Sequence, residues 1–133
     1  MKWEYQGSLG VPELDERLNR AFERFALVKR TQAEGGCWND VHFELATLSA
    51  ELELCFTVEE ALMRIHDYPD RERHSQEHAE LLQSVQALER ATLTTGLTGK
   101  MIGAAFAATM GHHLTQDRRY VRHLSKSKMS PGR

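Results

Sequence analysis

Cys55-Phe56-Thr57-Val58-Glu59-Glu60-Ala61-Leu62-Met63, then Asp67-Tyr68-Pro69-Asp70, then His74-Ser75-Gln76-Glu77-His78: the reading of this stretch decides the rest of the chain. Tyr68-Pro69 divides it into two helical parts, because the residue before a proline is pushed out of the helical region. Residues four apart lie on one face of a helix, so His74 and His78 can both point at one ion. Glu59 sits on the preceding helix and can face the same ion across a short turn.

Working upstream, the helix that carries Glu59 starts near Trp38. Its buried stripe takes in Leu45, Leu48, Leu52, Cys55, Phe56, Glu59, Leu62 and Met63. Before it, Gln32 to Gly36 reads as a loop, and Leu14, Leu18, Phe22 and Phe25 mark a first helix at steps of four, four and three. Pro12 suits the opening position of that helix, with Glu13, Asp15 and Glu16 at its positive end, and its end falls near Arg30. Working downstream, Asp70 can cap a third helix whose stripe is His74, His78, Leu81, Val85 and Leu88. Thr92 to Gly99 is a loop, and a fourth helix runs from about Lys100 into the Arg119 region. Residues 1–11 read as an extended N-terminal arm, and 125–133, with Pro131-Gly132, as a flexible tail. The expectation is an all-α, up-down-up-down four-helix bundle forming a single domain over residues 1–133.

Charge narrows the functions. A net charge of −2 gives no footprint for nucleic acid or an anionic membrane, and no apolar run has the length of a membrane span. The basic end of the fourth helix (Arg118, Arg119, Arg122, Lys126, Lys128) suits the negative end of a helix dipole. Met1-Lys2-Trp3-Glu4-Tyr5 lacks the apolar core of a signal peptide, so a cytoplasmic location is expected. Cys37 and Cys55, if carried on one helix, lie about 27 Å apart, beyond disulfide reach, and read as free thiols in a reducing compartment.

A stripe interrupted by Glu59, His74 and His78 needs a reason, since a buried carboxylate is costly unless paired or coordinated. The fourth helix adds His112, His113 and Asp117. His113 and Asp117 are four apart and share a face, whereas His112 and Asp117 are five apart, about 140° round an ideal helix. Spacing alone therefore chooses His113.

A set of motifs chooses otherwise. Gly10-Val11, Leu14-Asp15-Glu16, Phe56-x-x-Glu59-Glu60-x-x-Met63, Tyr68-Pro69-Asp70, His74-x-x-x-His78 and His112-x-x-x-x-Asp117 together resemble the bacterial hemerythrins, from Trp3 to Tyr120. That resemblance implies a bundle holding two oxo-bridged irons that carry O2. It makes Glu59 a bridging carboxylate, His74, His78 and His112 the three histidines of one iron, and Asp117 the second bridge. His113 falls where the family usually has an aliphatic residue.

The same comparison shows what is missing. The histidines of the other iron fall at Leu18 and Cys55 in this chain, and that iron is the one with the open position for O2. Leucine cannot donate to a metal, and one soft cysteine with shared carboxylates makes a poor iron site. Glu51, Asn19 and Asp15 are the other donors near the gap. Ala108 stands where the family commonly has Trp, which lightens the pocket wall.

Three readings stay open. The first is a hemerythrin-like protein with an incomplete di-iron site, holding one metal (iron, with zinc or manganese as substitutes) for O2, NO or redox sensing. Ordinary O2 carriage is then lost or impaired, because it draws two electrons from two irons. The second is a di-iron O2 binder rescued by non-standard ligands, and the third a metal-free bundle serving as an interaction module. No catalytic residues are implied. A small diatomic ligand is the expected partner, and the sequence names no protein partner.

Overall fold

The computed structural model describes residues 12–93, 96 and 99–129, with side chains from Leu14 to His123 within those ranges. Helix α1 spans Pro12–Ala33, α2 Trp38–Ile65, α3 Arg71–Leu93 and α4 Gly99–His112. A single π-helical turn, His113–Asp117, joins α4 to α5, Arg118–Met129, so the fourth rod is one continuous helix with an inserted wide turn. Each rod packs on its neighbour in sequence, and the fourth closes on the first. The chain is an all-helical four-helix bundle, as its periodicity required.

The turns explain how the rods reverse. At the end of α1, the Gly35 amide donates to the Gln32 carbonyl and the Gly36 amide to that of Thr31, with Gly35 at φ 77. This pair of hydrogen bonds around a left-handed residue satisfies two of the last carbonyls of the helix, and glycine takes that conformation without penalty. The end of α2 repeats the arrangement without a glycine. The Asp67 amide donates to the Arg64 carbonyl and the Tyr68 amide to Met63, with Asp67 at φ 51. Arg71 Nη1 donates to Asp67 Oδ1 at 2.8 Å, tying this corner to the start of α3.

The boundaries differ from expectation at three places. Helix α1 continues to Ala33, three residues past Arg30; Thr92, Leu93 and Gly99, expected in a loop, belong to α3 and α4; and the fourth rod continues to Met129, so residues 125–129, expected in a tail, are helical. Arg119 lies 3.8 Å from Asp70 across the bundle end, one contact that periodicity could not show. The expected N-terminal arm and residues 130–133 lie outside the described residues.

The four stripes meet as one apolar core. Leu18, Phe22, Phe25, Leu45, Leu48, Leu52, Val85 and Ile102 are all at most 3% exposed. A smaller cluster of Met63, Tyr68, Tyr120 and Val121 fills the end where α2 turns into α3. Among the described residues, no helix is long and apolar enough to cross a membrane.

Candidate metal centre

Between the main core and the small cluster, the bundle buries ionisable side chains. Glu59 from α2, His74 and His78 from α3, His112 from the end of α4 and Asp117 from the π turn are between 1% and 7% exposed. One donor atom from each lies within 4.8 Å of every other. These are the five residues singled out in the sequence.

The atoms that converge are the Nε2 nitrogens and single carboxylate oxygens. His74 Nε2 lies 2.6 Å from Glu59 Oε1, 2.8 Å from Asp117 Oδ1 and 3.1 Å from His112 Nε2. His78 Nε2 lies 3.0 Å from Glu59 Oε1, and His112 Nε2 3.1 Å from Asp117 Oδ1. Neighbouring ligands at right angles round an ion with bonds of about 2.1 Å stand roughly 3.0 Å apart.

The opposite ring nitrogens show which atoms carry protons. His78 Nδ1 is 2.7 Å from Glu60 Oε2, and Ser75 Oγ donates to the other oxygen of Glu60 at 2.7 Å. His112 Nδ1 is 3.0 Å from Glu77 Oε1. A carboxylate only accepts, so Nδ1 of both rings is the N–H, and in a neutral ring Nε2 presents a lone pair to the centre. His78 Nε2 then meets Glu59 Oε1, acceptor against acceptor, and makes no hydrogen bond; Glu59 Oε2 also has none. With all three imidazoles neutral, as metal binding requires, the two carboxylates would leave two negative charges in an apolar surround, which one divalent cation would cancel. The donor set fits a metal.

No family model, curated protein or solved structure matches this chain. The geometry therefore has to carry the functional argument.

Without a metal, the same groups bind protons. Burial opposes ionisation of Asp117, yet hydrogen bonds from His112, His113 and His74 hold its carboxyl well below the usual range. Burial also disfavours the His112 imidazolium, and Asp117 with Glu77 outweighs it and raises that group. At His74, burial is likewise overcome, by Asp117 and Glu59, and the group is pushed up to about 9. A raised histidine stabilises the metal-free fold fully below its ordinary value of 6.5, and that contribution disappears as pH climbs towards about 9. The proton competes with a metal for Nε2, so metal affinity is expected to fall about tenfold per pH unit on acidification below that value. Calorimetric titration with Zn(II) at two pH values in this window checks it; equal affinities at both would contradict the competition.

The π turn settles the choice on the fourth rod. Its wider coil brings residue i+5 back towards residue i, so His112 and Asp117 meet despite the 140° that an ideal α-helix would put between them (about, by α-geometry). Asp117 has two oxygens and uses both. Oδ1 joins the five-donor cluster, while Oδ2 is 3.2 Å from Nδ1 of His113. His113 is buried too, with its ring 5.8 Å from that of Phe22 on α1. The histidine chosen by spacing thus holds the carboxylate from outside the cluster.

The half expected to lack ligands is apolar. Leu18 is 2% and Cys55 1% exposed, both in the main core. Burial, with Glu59 and Asp117 adding to it, pushes the Cys55 thiol well above its usual range, which keeps it neutral. Glu51 is held by Arg24 Nε at 3.1 Å, and Asn19 donates to Glu23 at 2.9 Å. None of Cys55, Glu51 or Asp15 belongs to the donor cluster found among the described residues.

Sequence reasoning missed the outer shell. Glu60 and Glu77 each flank a named residue in the chain, but nothing in their spacing shows that they hold Nδ1 of His78 and His112. The Phe56 ring lies flat on His78, centroids 4.0 Å apart and planes 5° apart, and fixes that ring from the other side. A surface cavity of about 330 Å³, lined in part by Glu77, Glu80, Ala108 and His112, opens beside the cluster. Ala108 leaves part of that space, since a larger side chain there would narrow it.

Proposed function

We propose that this chain is a hemerythrin-like protein that holds one divalent metal, iron by its resemblance, and binds a small diatomic molecule or responds to redox state. The observation that carries the reading is the buried cluster of five donors with two of its histidines oriented by carboxylates on their far side. Imidazole with carboxylate suits Fe(II), Zn(II), Mn(II) and Co(II) alike, so the donor set alone does not choose among them. When bound, the metal would supply a Lewis-acidic centre held by Glu59, His74, His78, His112 and Asp117.

The chain's own residues do the rest. Glu60 and Glu77 keep His78 and His112 in the tautomer that points Nε2 inwards. His113 holds one oxygen of Asp117 and leaves the other for the metal. Leu18 and the neutral Cys55 occupy the ground where the second iron's histidines would stand, so reversible O2 carriage of the two-iron kind is not expected. The tied carboxylate of Glu51 argues against rescue of that second iron. The free thiols fit a reducing compartment such as the cytoplasm.

Metal analysis of protein purified from iron-rich cells tests the reading. About one metal per chain is expected, from one set of donors. Fewer than about 0.2 per chain after loading with iron, zinc or manganese would remove the proposal in favour of a metal-free bundle, and about two would favour a rescued di-iron site.

A further inference from the structure

Helix α2 is apolar on two opposite faces. Its core face carries Val41, Leu45, Leu48, Leu52, Phe56 and Met63. A surface helix is normally polar on the other side. Here that side presents Phe43, Thr47, Ala50, Leu54, Thr57 and Ala61, spaced alternately by four and three residues. Phe43 is 64% and Leu54 51% exposed. The two threonines on the stripe turn their hydroxyls back, Thr47 Oγ1 donating to the Phe43 carbonyl at 2.9 Å and Thr57 Oγ1 to Glu53 at 2.8 Å. Both hydroxyls are satisfied inside their own helix, so covering this face leaves neither without a partner.

Alternate spacing of four and three is the seam of a coiled coil, and it continues at each end into a charge: Asp40 before Phe43 and Arg64 after Ala61. We propose that a second copy of this chain docks here, α2 against α2, antiparallel about a two-fold axis near Leu52. This alignment puts Phe43 against Ala61 of the second copy, Thr47 against Thr57 and Ala50 against Leu54, a large residue meeting a small one at two of the three layers. The same alignment puts Asp40 beside Arg64 of the second copy at both ends of the seam. Parallel docking would set Asp40 on Asp40 and Arg64 on Arg64, which like charges oppose. The face is self-complementary in shape and charge, as a two-fold interface has to be. Two like-charge approaches remain, because Glu51 and Glu53 flank the axis and each meets its own copy; Glu51 is offset by Arg24, and Glu53 is the exposed one.

Neither the metal nor its ligands enter this proposal, so it stands or falls separately from the function above. Sedimentation equilibrium at tens of micromolar (roughly the range in which modest interfaces assemble) is expected to find a dimer. Leu54→Glu, at an exposed position, should leave the circular dichroism spectrum unchanged and weaken the dimer by about 100-fold. Asp40→Arg should weaken it by about tenfold, and adding Arg64→Asp should restore it, while Glu53→Gln should tighten it. A monomeric wild-type chain overturns the proposal, whatever else covers the face. So does a dimer that survives Leu54→Glu, or a double charge reversal weaker than the single one.

Discussion

Removing the metal from loaded protein with a strong chelator is expected to lower its melting temperature by about 15 °C. A ligand that binds only the native state stabilises it in proportion to the logarithm of its excess over the dissociation constant, about 4 kcal/mol at a thousandfold excess. For a domain of this size, 1 kcal/mol moves the midpoint by roughly 4 °C. The unfolded chain cannot reproduce the site, because its donors come from α2, α3, the end of α4 and the π turn, and the His74–Asp117 contact alone joins residues 43 apart. Thermal melts followed by circular dichroism, with and without chelator, make the measurement. An unchanged midpoint would mean that protonated His74 between Glu59 and Asp117 already satisfies the cluster, and that the bundle works without metal.

Leu18→His together with Cys55→His is expected to raise metal content from about one to about two per chain, a second complete donor set having been supplied. Both positions are buried in the core, one on α1 and one on α2, and Glu59 Oε2 lies buried without a hydrogen-bond partner to receive the added ion. Two effects oppose the gain. Histidine is larger than cysteine, and overfilling a packed core costs about 1–3 kcal/mol. His113 also holds Asp117 Oδ2, the oxygen a second metal would need. Adding His113→Leu should therefore tighten the second site relative to the double variant. Metal content and melting temperature of the double and triple variants decide it. If neither takes up more metal than the parent, the lost ligand positions are not where the resemblance puts them.

The bundle was legible in the sequence because each helix shows itself locally. A stripe such as Leu14, Leu18, Phe22 and Phe25 needs only the period of an α-helix to declare its buried face, and Tyr68-Pro69 marks a helix end through the sterics of a single residue. The pair His74 and His78 was legible for the same reason, being one turn apart on a regular helix. So was the place of Leu18 on a buried apolar stripe, whereas the expectation of a histidine there came from the resemblance alone.

The opening stretch, Cys55 to His78, thus announced Glu59, His74 and His78, but not what surrounds them. The fourth rod could not be read this way. The wide turn after His112 brings Asp117 back over His112 as well as His113, so the local spacing, which assumed a regular α-helix, named only the second of its two histidine partners. Asp117 reaches His112 and His113 within its own rod, whereas its contact with His74 exists only once that rod has packed on α3. The carboxylates behind the ligands are of the same kind: Glu60 meets His78 from 18 residues away and Glu77 meets His112 from 35. Periodicity assigns a side chain to a face of its own helix; which atoms then meet across the bundle is a matter of packing between helices, where a shift of one residue moves a side chain by about 100°.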